Sequence, residues 1–270
     1  MKNNLYDVAN LGYPEKYETK LKVLADMAQD EPWNFVDEKY IKDDHCFPIL
    51  HNYLLGTYDR LVEEGKIAYS QNESHMCFNT GLQTDMDCDI FMLFSRNNIS
   101  RNDSKKWYFV KFCDENHRDL RVFSKLPEIA RYCERTSDFV FDMSISEIRI
   151  NYEHIINDNI DRFDGICELD SYKLRSLLEG AFNRTICKVK RNYKLAIPQY
   201  YKDKNSNQAK IQLLLPLFIN NRSKADLAIA IEKENGVYYA TTILPLDWAY
   251  MNARRIVKPD VNWLLSNTVE

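Results

Sequence analysis

The stretch from Ala209 to Leu246 most constrains what this chain can fold into. "AKIQLLLPLFI" is a strand-length apolar run, well below the ~18 residues a membrane-spanning helix needs. "ADLAIAIEKENGVYYATTILPL" follows and turns back on itself at Glu-Asn-Gly. Asn-Gly between two strand-like runs is a hairpin signal, because both turn residues must take a positive φ. "DWAYMNARRI" then closes the segment as a helix with Asp247 near its start. Three strands and a helix in this order predict an antiparallel sheet that a helix packs against.

The rest of the chain fits that frame. Residues 14–29 place Tyr17, Leu21, Leu24, Ala25 and Ala28 on one helical face, with Pro14 at its entry. Residues 46–65 repeat the pattern through Leu50, Tyr53, Leu54, Tyr58, Leu61 and Val62, and Gly65 ends the helix. "KIAYS", "MCFN", "DIFMLFS" and "WYFVKFC" read as short strands of a meander. "LPEIARYCER" reads as a short helix, "FVFDM" and "EIRIN" as strands, and "YEHIIND" as a helical turn. Residues 171–193 form a second long helix, capped by Asp170 or Ser171 and packed through Leu174, Leu177, Leu178, Ala181, Phe182, Thr185 and Val189. The expected fold class is α+β: a single domain with a large, mostly antiparallel sheet flanked by two long helices and a C-terminal helix. Residues 1–45 are expected as a helical lead-in packed on a main domain of residues 46–270.

Composition excludes several functions. Seven glycines in 270 residues argue against glycine-rich nucleotide loops, and no Walker, Rossmann or Gly-x-Ser-x-Gly pattern occurs. The seven cysteines include no Cys-x-x-Cys pair, which disfavours zinc ribbons and redox motifs; those in apolar runs read as buried thiols of a reducing cytosol. The start "MKNNLYDVANLGYPEK" has no apolar run behind a basic one, so neither a secretory signal nor a membrane segment is expected. A cytoplasmic location with no cofactor and no metal follows. Charge is uneven: residues 1–90 hold 8 Lys/Arg against 17 Asp/Glu, and residues 91–270 hold 28 against 23. That polarity points to an anionic partner.

Four stretches carry candidate chemistry. "DMDCDI" alternates Asp85, Asp87 and Asp89, which would share one face of a strand; a calcium loop fails because Ile90 and Arg96 stand where Gly and Glu belong. "CFNTGLQT" ends a strand in a glycine-centred loop, where Asn79, Thr80 and Gly81 could offer N–H groups to a phosphate or base. His154, beside Asn151 in "NYEHIIND", is the acid–base candidate. The strongest electrostatic signal is "RTICKVKRNYKLAIPQYYKDK", seven cations and three tyrosines in 21 positions of a chain whose net charge is -4. Arg184, Lys188 and Arg191 fall at i, i+4, i+7 on one helical stripe; Lys194, Tyr193, Gln199 and Tyr200 follow where Pro198 stops the helix. Arg254 and Arg255 add cations near Tyr250 and Asn252. Cations ending in aromatics suit phosphate contact with base stacking.

"YLLGTYDRLVEEGKI", "FNTGLQT", "INYEHIINDNIDRF", "KRNYKLAIPQYY" and the phrase from "IQLLLPLFINN" to "KPDVNWL" together resemble a bacterial domain-of-unknown-function family, number 3825. The resemblance covers roughly residues 46–265. Some members stand beside cold-shock-type or other RNA-associated modules, which implies RNA or nucleotide biology. The family supplies no catalytic residues to carry over.

The leading expectation is an RNA or single-stranded nucleic-acid binding domain, gripping through Arg184, Lys188, Arg191 and Lys194 with Tyr193, Gln199 and Tyr200, extended by Arg254 and Arg255. The alternative is an enzyme acting on a nucleotide or phosphodiester, in a pocket of Asn79, Thr80, Asn151, His154, Arg191 and Tyr193.

Overall fold

The computed structural model describes residues 4–34, 46–98, 105–132, 135–145, 147–164, 166, 169–202, 209–259 and 262–265. The class is α+β, with ten strands in two five-stranded sheets among the described residues. The single large sheet expected from the sequence is therefore two sheets. The chain divides near residue 131 into two compact units, one sheet in each. The hydrophobic pattern marks strands but not which strands pair, so two sheets in succession read as one meander.

In the first unit, β1 (Ala9–Asn10), β2 (Ala68–Tyr69), β3 (His75–Gln83), β4 (Asp89–Arg96) and β5 (Trp107–Asp114) take the order β1-β5-β4-β3-β2. All pairs are antiparallel except β1 with β5. The apolar run "IFMLF" of β4 is buried throughout because both faces of the sheet are covered. One face packs Cys77, Phe91, Leu93 and Cys113 against Leu120 and Phe123. On the other, Tyr58 of α3 (Pro48–Glu63) meets Phe78, and Tyr17 of α2 (Pro14–Met27) meets Phe109 edge-on. Proline opens both helices, and α1 (Leu5–Val8) precedes them. Gly65 follows the end of α3 with φ +67, the left-handed position where glycine costs nothing.

In the second unit, β6 (Ile148–Arg149), β7 (Ile197–Lys202), β8 (Ala209–Leu217), β9 (Leu227–Glu234) and β10 (Val237–Leu244) take the order β6-β10-β9-β8-β7. Glu234 pairs with Val237, leaving Asn235 and Gly236 as a two-residue turn with φ of +48 and +80. One sheet face buries Leu213, Leu215, Ile229 and Ile231 against α4 (Tyr152–Asn159) and α5 (Ser171–Val189). Asp170 caps α5 by accepting a hydrogen bond from the Lys173 N–H at 2.9 Å. α6 (Leu246–Arg254) packs beside β7 and β9, and α7 (Asn262–Leu265) follows it.

Several local expectations change. "FVFDM" holds no strand; a 3-10 turn covers Thr136–Phe139 instead. Residues 126–132 form no helix, Cys133 and Glu134 of that phrase lie outside the described residues, as do His45 and Cys167, and Arg135 caps the 3-10 turn. α5 stops at Val189 rather than 193, because Asn192 caps a separate 3-10 turn over Tyr193–Leu195. The stretch after Pro198, expected only to end a helix, is the edge strand β7; Pro198 is tolerated there because an edge has one unpaired side. Cys77 and Cys113 are buried, and burial pushes their thiols up to about 12 and about 11. Cys46 and Cys187, which lie outside the apolar runs, are exposed. Among the described residues, no helix is long and apolar enough to cross a membrane.

Candidate nucleic-acid interface

The phrase "FNTGLQT" is a bulge in β3, where the pairing with β4 shifts between Asn79 and Gln83. Asn79 is buried; its Nδ2 donates to Asp89 Oδ2 at 2.9 Å and its Oδ1 accepts from the Gly81 N–H at 2.9 Å. Thr80 is buried as well and donates to the Ile90 carbonyl at 2.7 Å. The Thr80 carbonyl accepts from the Tyr53 hydroxyl at 2.8 Å. Gly81 has φ +73, and a Cβ there would lie 2.7 Å from the Tyr53 oxygen. These polar groups hold a strand irregularity together. Asp85 and Asp87 sit in the turn before β4 rather than on a strand, and Asp87 accepts from Gln29 at 3.2 Å. Among the described residues, no three His, Cys, Asp or Glu side chains gather as metal ligands.

The remaining candidates belong to the second unit. Asn151 is the N-cap of α4, its Oδ1 accepting from the His154 N–H at 3.2 Å. His154 lies on the exposed side of that helix, with Nδ1 3.3 Å from Asp158 Oδ2 one turn on. Gln199 and Tyr200 are inside the fold, because they stand on a paired strand instead of a loop. Tyr200 packs edge-on to Tyr132 with centroids 4.9 Å apart. Arg254 is buried on α6, and Arg255 is its C-cap. Gln199 and Tyr200 are therefore not surface contacts, a consequence of a strand the sequence did not announce, and Arg254 is withdrawn on the buried side of α6.

Arg184 and Lys188 share one stripe of α5, as their spacing predicts, whereas Arg191 lies in the turn just past the helix end. The loop from β8 to β9 runs beside them. Arg184 donates to the Phe218 carbonyl at 3.3 Å and Lys188 to the Arg222 carbonyl at 2.5 Å. The Lys188 ammonium also sits 3.6 Å from the Phe218 ring centre. Asp226 pins this loop by accepting from the Ile219 and Asn220 N–H groups at 2.7 and 3.0 Å. The loop adds Arg222 and Lys224, both exposed, which the sequence reading missed. Their signal is present in the chain: "NNRSK" is a basic turn between two strands.

Arg184, Lys188, Lys190, Arg191, Lys194, Arg222 and Lys224 form no ion pair with any carboxylate among the described residues. Carbonyl oxygens orient Arg184, Lys188 and Arg191 (the last through Cys187 O at 2.8 Å) but cancel no charge. Cations at a helix C-terminus do offset the helix dipole, by about 0.3–1 kcal/mol each within the last turn. That accounts for Lys188 and its neighbours, not for Arg184 or the loop. Tyr193, 45% exposed, stands just past the helix end next to Lys194.

A family profile for a domain of unknown function, DUF3825, matches residues 24–263. The chain belongs to the DUF3825 family. The match takes in strands β2 to β10, so the DUF3825 region comprises most of each unit. No curated protein and no solved structure matches the chain.

Proposed function

We propose that this protein binds single-stranded RNA in the cytosol through the end of α5 and the adjoining β8–β9 loop. The observation that carries the reading is the set of seven cations without a carboxylate partner among the described residues. Uncompensated charge of one sign on a helix stripe and a loop is a footprint for a polyanion. Tyr193 supplies a face on which an unpaired base can stack, which favours a single strand over a duplex.

A polarisation titration with a labelled single-stranded RNA tests this. Arg184→Ala with Lys188→Ala should weaken binding at low salt by about tenfold or more, since each lost phosphate contact removes a counterion-release contribution. Exposed Cys187 lies on the same stripe, so bound RNA should slow its alkylation. Absence of binding at low salt, or wild-type affinity in the double variant, overturns the proposal.

A further inference from the structure

A second feature of the same unit points to recognition of a base rather than a phosphate. Across the sheet face opposite the α5 core runs a line of side-chain amides that ends on a carboxylate. Asn252 of α6 donates through Nδ2 to Gln199 Oε1 at 3.1 Å. Gln199 of β7 donates through Nε2 to Gln212 Oε1 of β8 at 2.8 Å. Gln212 in turn donates through Nε2 to Glu232 Oε2 of β9 at 3.2 Å, and Lys210 pairs with the other oxygen of Glu232. Gln199 and Gln212 are directly opposed in the β7–β8 register and are only 1% and 4% exposed.

The direction of this relay is fixed by its end. A carboxylate accepts and cannot donate, so Gln212 must turn its NH₂ to Glu232 and its carbonyl to Gln199. Gln199 must then present its own NH₂ to Gln212, which leaves its carbonyl for Asn252. Asn252 is thereby locked with its NH₂ inward. Its Oδ1 has no hydrogen-bond partner among the described residues, and the residue is partly exposed. One Nδ2 hydrogen is also left over. The carboxamide thus offers an acceptor beside a donor, in an orientation set by its neighbours along the relay.

The surroundings suit a planar ligand. α6 buries Leu246, Asp247, Ala249, Tyr250, Ala253 and Arg254. Its other stripe is Trp248, Met251 and Asn252, leading to Arg255, all partly exposed. Trp248 precedes Asn252 by one turn, and the Arg162 guanidinium braces its ring at 5.3 Å. An ordinary solvated face would carry lysines and glutamates.

We infer that α6 carries a subsite for an adenine base, with Asn252 as the reader and Glu232, Gln212 and Gln199 as positioning residues. Adenine places an amino donor next to a ring-nitrogen acceptor, the complement of a carboxamide. Trp248 stands beside the reader on the same partly exposed stripe. The subsite stands apart from the cations of α5, so it can hold or fail independently of the RNA reading.

The test uses the full chain and free nucleosides, which carry no phosphate for α5 to bind. Adenosine should bind at least about fivefold more tightly than purine riboside, which lacks only the amino donor. Asn252→Leu should erase that preference. Glu232→Gln, which frees the relay to reverse, should reduce the preference while keeping the melting temperature within a few degrees of wild type. A preference for A-rich over U-rich oligomers would assign the base to a strand; its absence with the adenosine preference intact would assign it to a free nucleotide. Equal binding of adenosine and purine riboside, or a preference that survives Asn252→Leu, overturns the inference whatever α5 does.

Discussion

The bulge at Asn79–Gly81 and the end of α5 look alike in sequence, since each is a polar phrase at the end of a regular element, but differ in how their polar atoms are used. In the bulge, Asn79 is bonded to Asp89 and Gly81, and Thr80 to Ile90 and Tyr53. At the end of α5 the cations from Arg184 onward touch carbonyl groups or solvent and no carboxylate among the described residues. In the first unit some cations are paired, Arg60 with Glu63 and Glu64 at 3.2 and 2.7 Å and Lys111 with Asp119 at 2.7 Å. Polar groups already satisfied within the fold have little left to offer a ligand, whereas charge left over does.

The sharpest way to break the comparison is at Gly81. Gly81→Val forces a β-branched residue into φ +73 and a Cβ to 2.7 Å from the Tyr53 oxygen. The expected loss is about 2–4 kcal/mol in denaturant unfolding, with RNA affinity unmoved where the variant is still folded. Normal stability with lost affinity would return the bulge to the binding surface. Asn151→Ala should cost about 1 kcal/mol by uncapping α4, again with no change in affinity. A change in RNA affinity larger than that would give Asn151 a ligand-binding role.

The smallest effect concerns a paired charge in the second unit. The Lys233 ammonium hydrogen-bonded to Asp142, with Ser144 beside it, pulls that carboxyl down to about 2. A depressed carboxylate stabilises the fold above its unfolded value of about 3.9, and the contribution fades as pH falls from there toward about 2. Asp142→Asn should therefore lower the melting temperature slightly at pH 6 and not at pH 2. Equal differences at both values would show that the pair contributes nothing.

Much of this is legible in the chain itself. Helices α2, α3 and α5 follow the spacing of apolar residues, and the turn at Asn235–Gly236 follows from the two residues themselves. The pairing of Arg184 with Lys188 on one stripe survives for the same reason: helical periodicity fixes which side chains share a face, though it stops short of Arg191. Strand pairing is what stays hidden. Nothing local in "IPQYYK" says that it joins β8, yet that pairing buries Gln199 and Tyr200 and turns Gln199 into a link to Asn252. Likewise Arg222 and Lys224 join α5 only because β8 and β9 bring their loop beside it. Contacts distant in sequence decide both sites.

The most direct measurement of the central claim is the salt dependence of single-stranded RNA binding for the wild type and for Arg184→Ala, Lys188→Ala and Arg191→Ala combined. Each phosphate contact contributes about 0.7 to the slope of log K against log salt for a single strand. The slope should be shallower by about 2 in the triple variant, with stability little changed. An unchanged slope would contradict it.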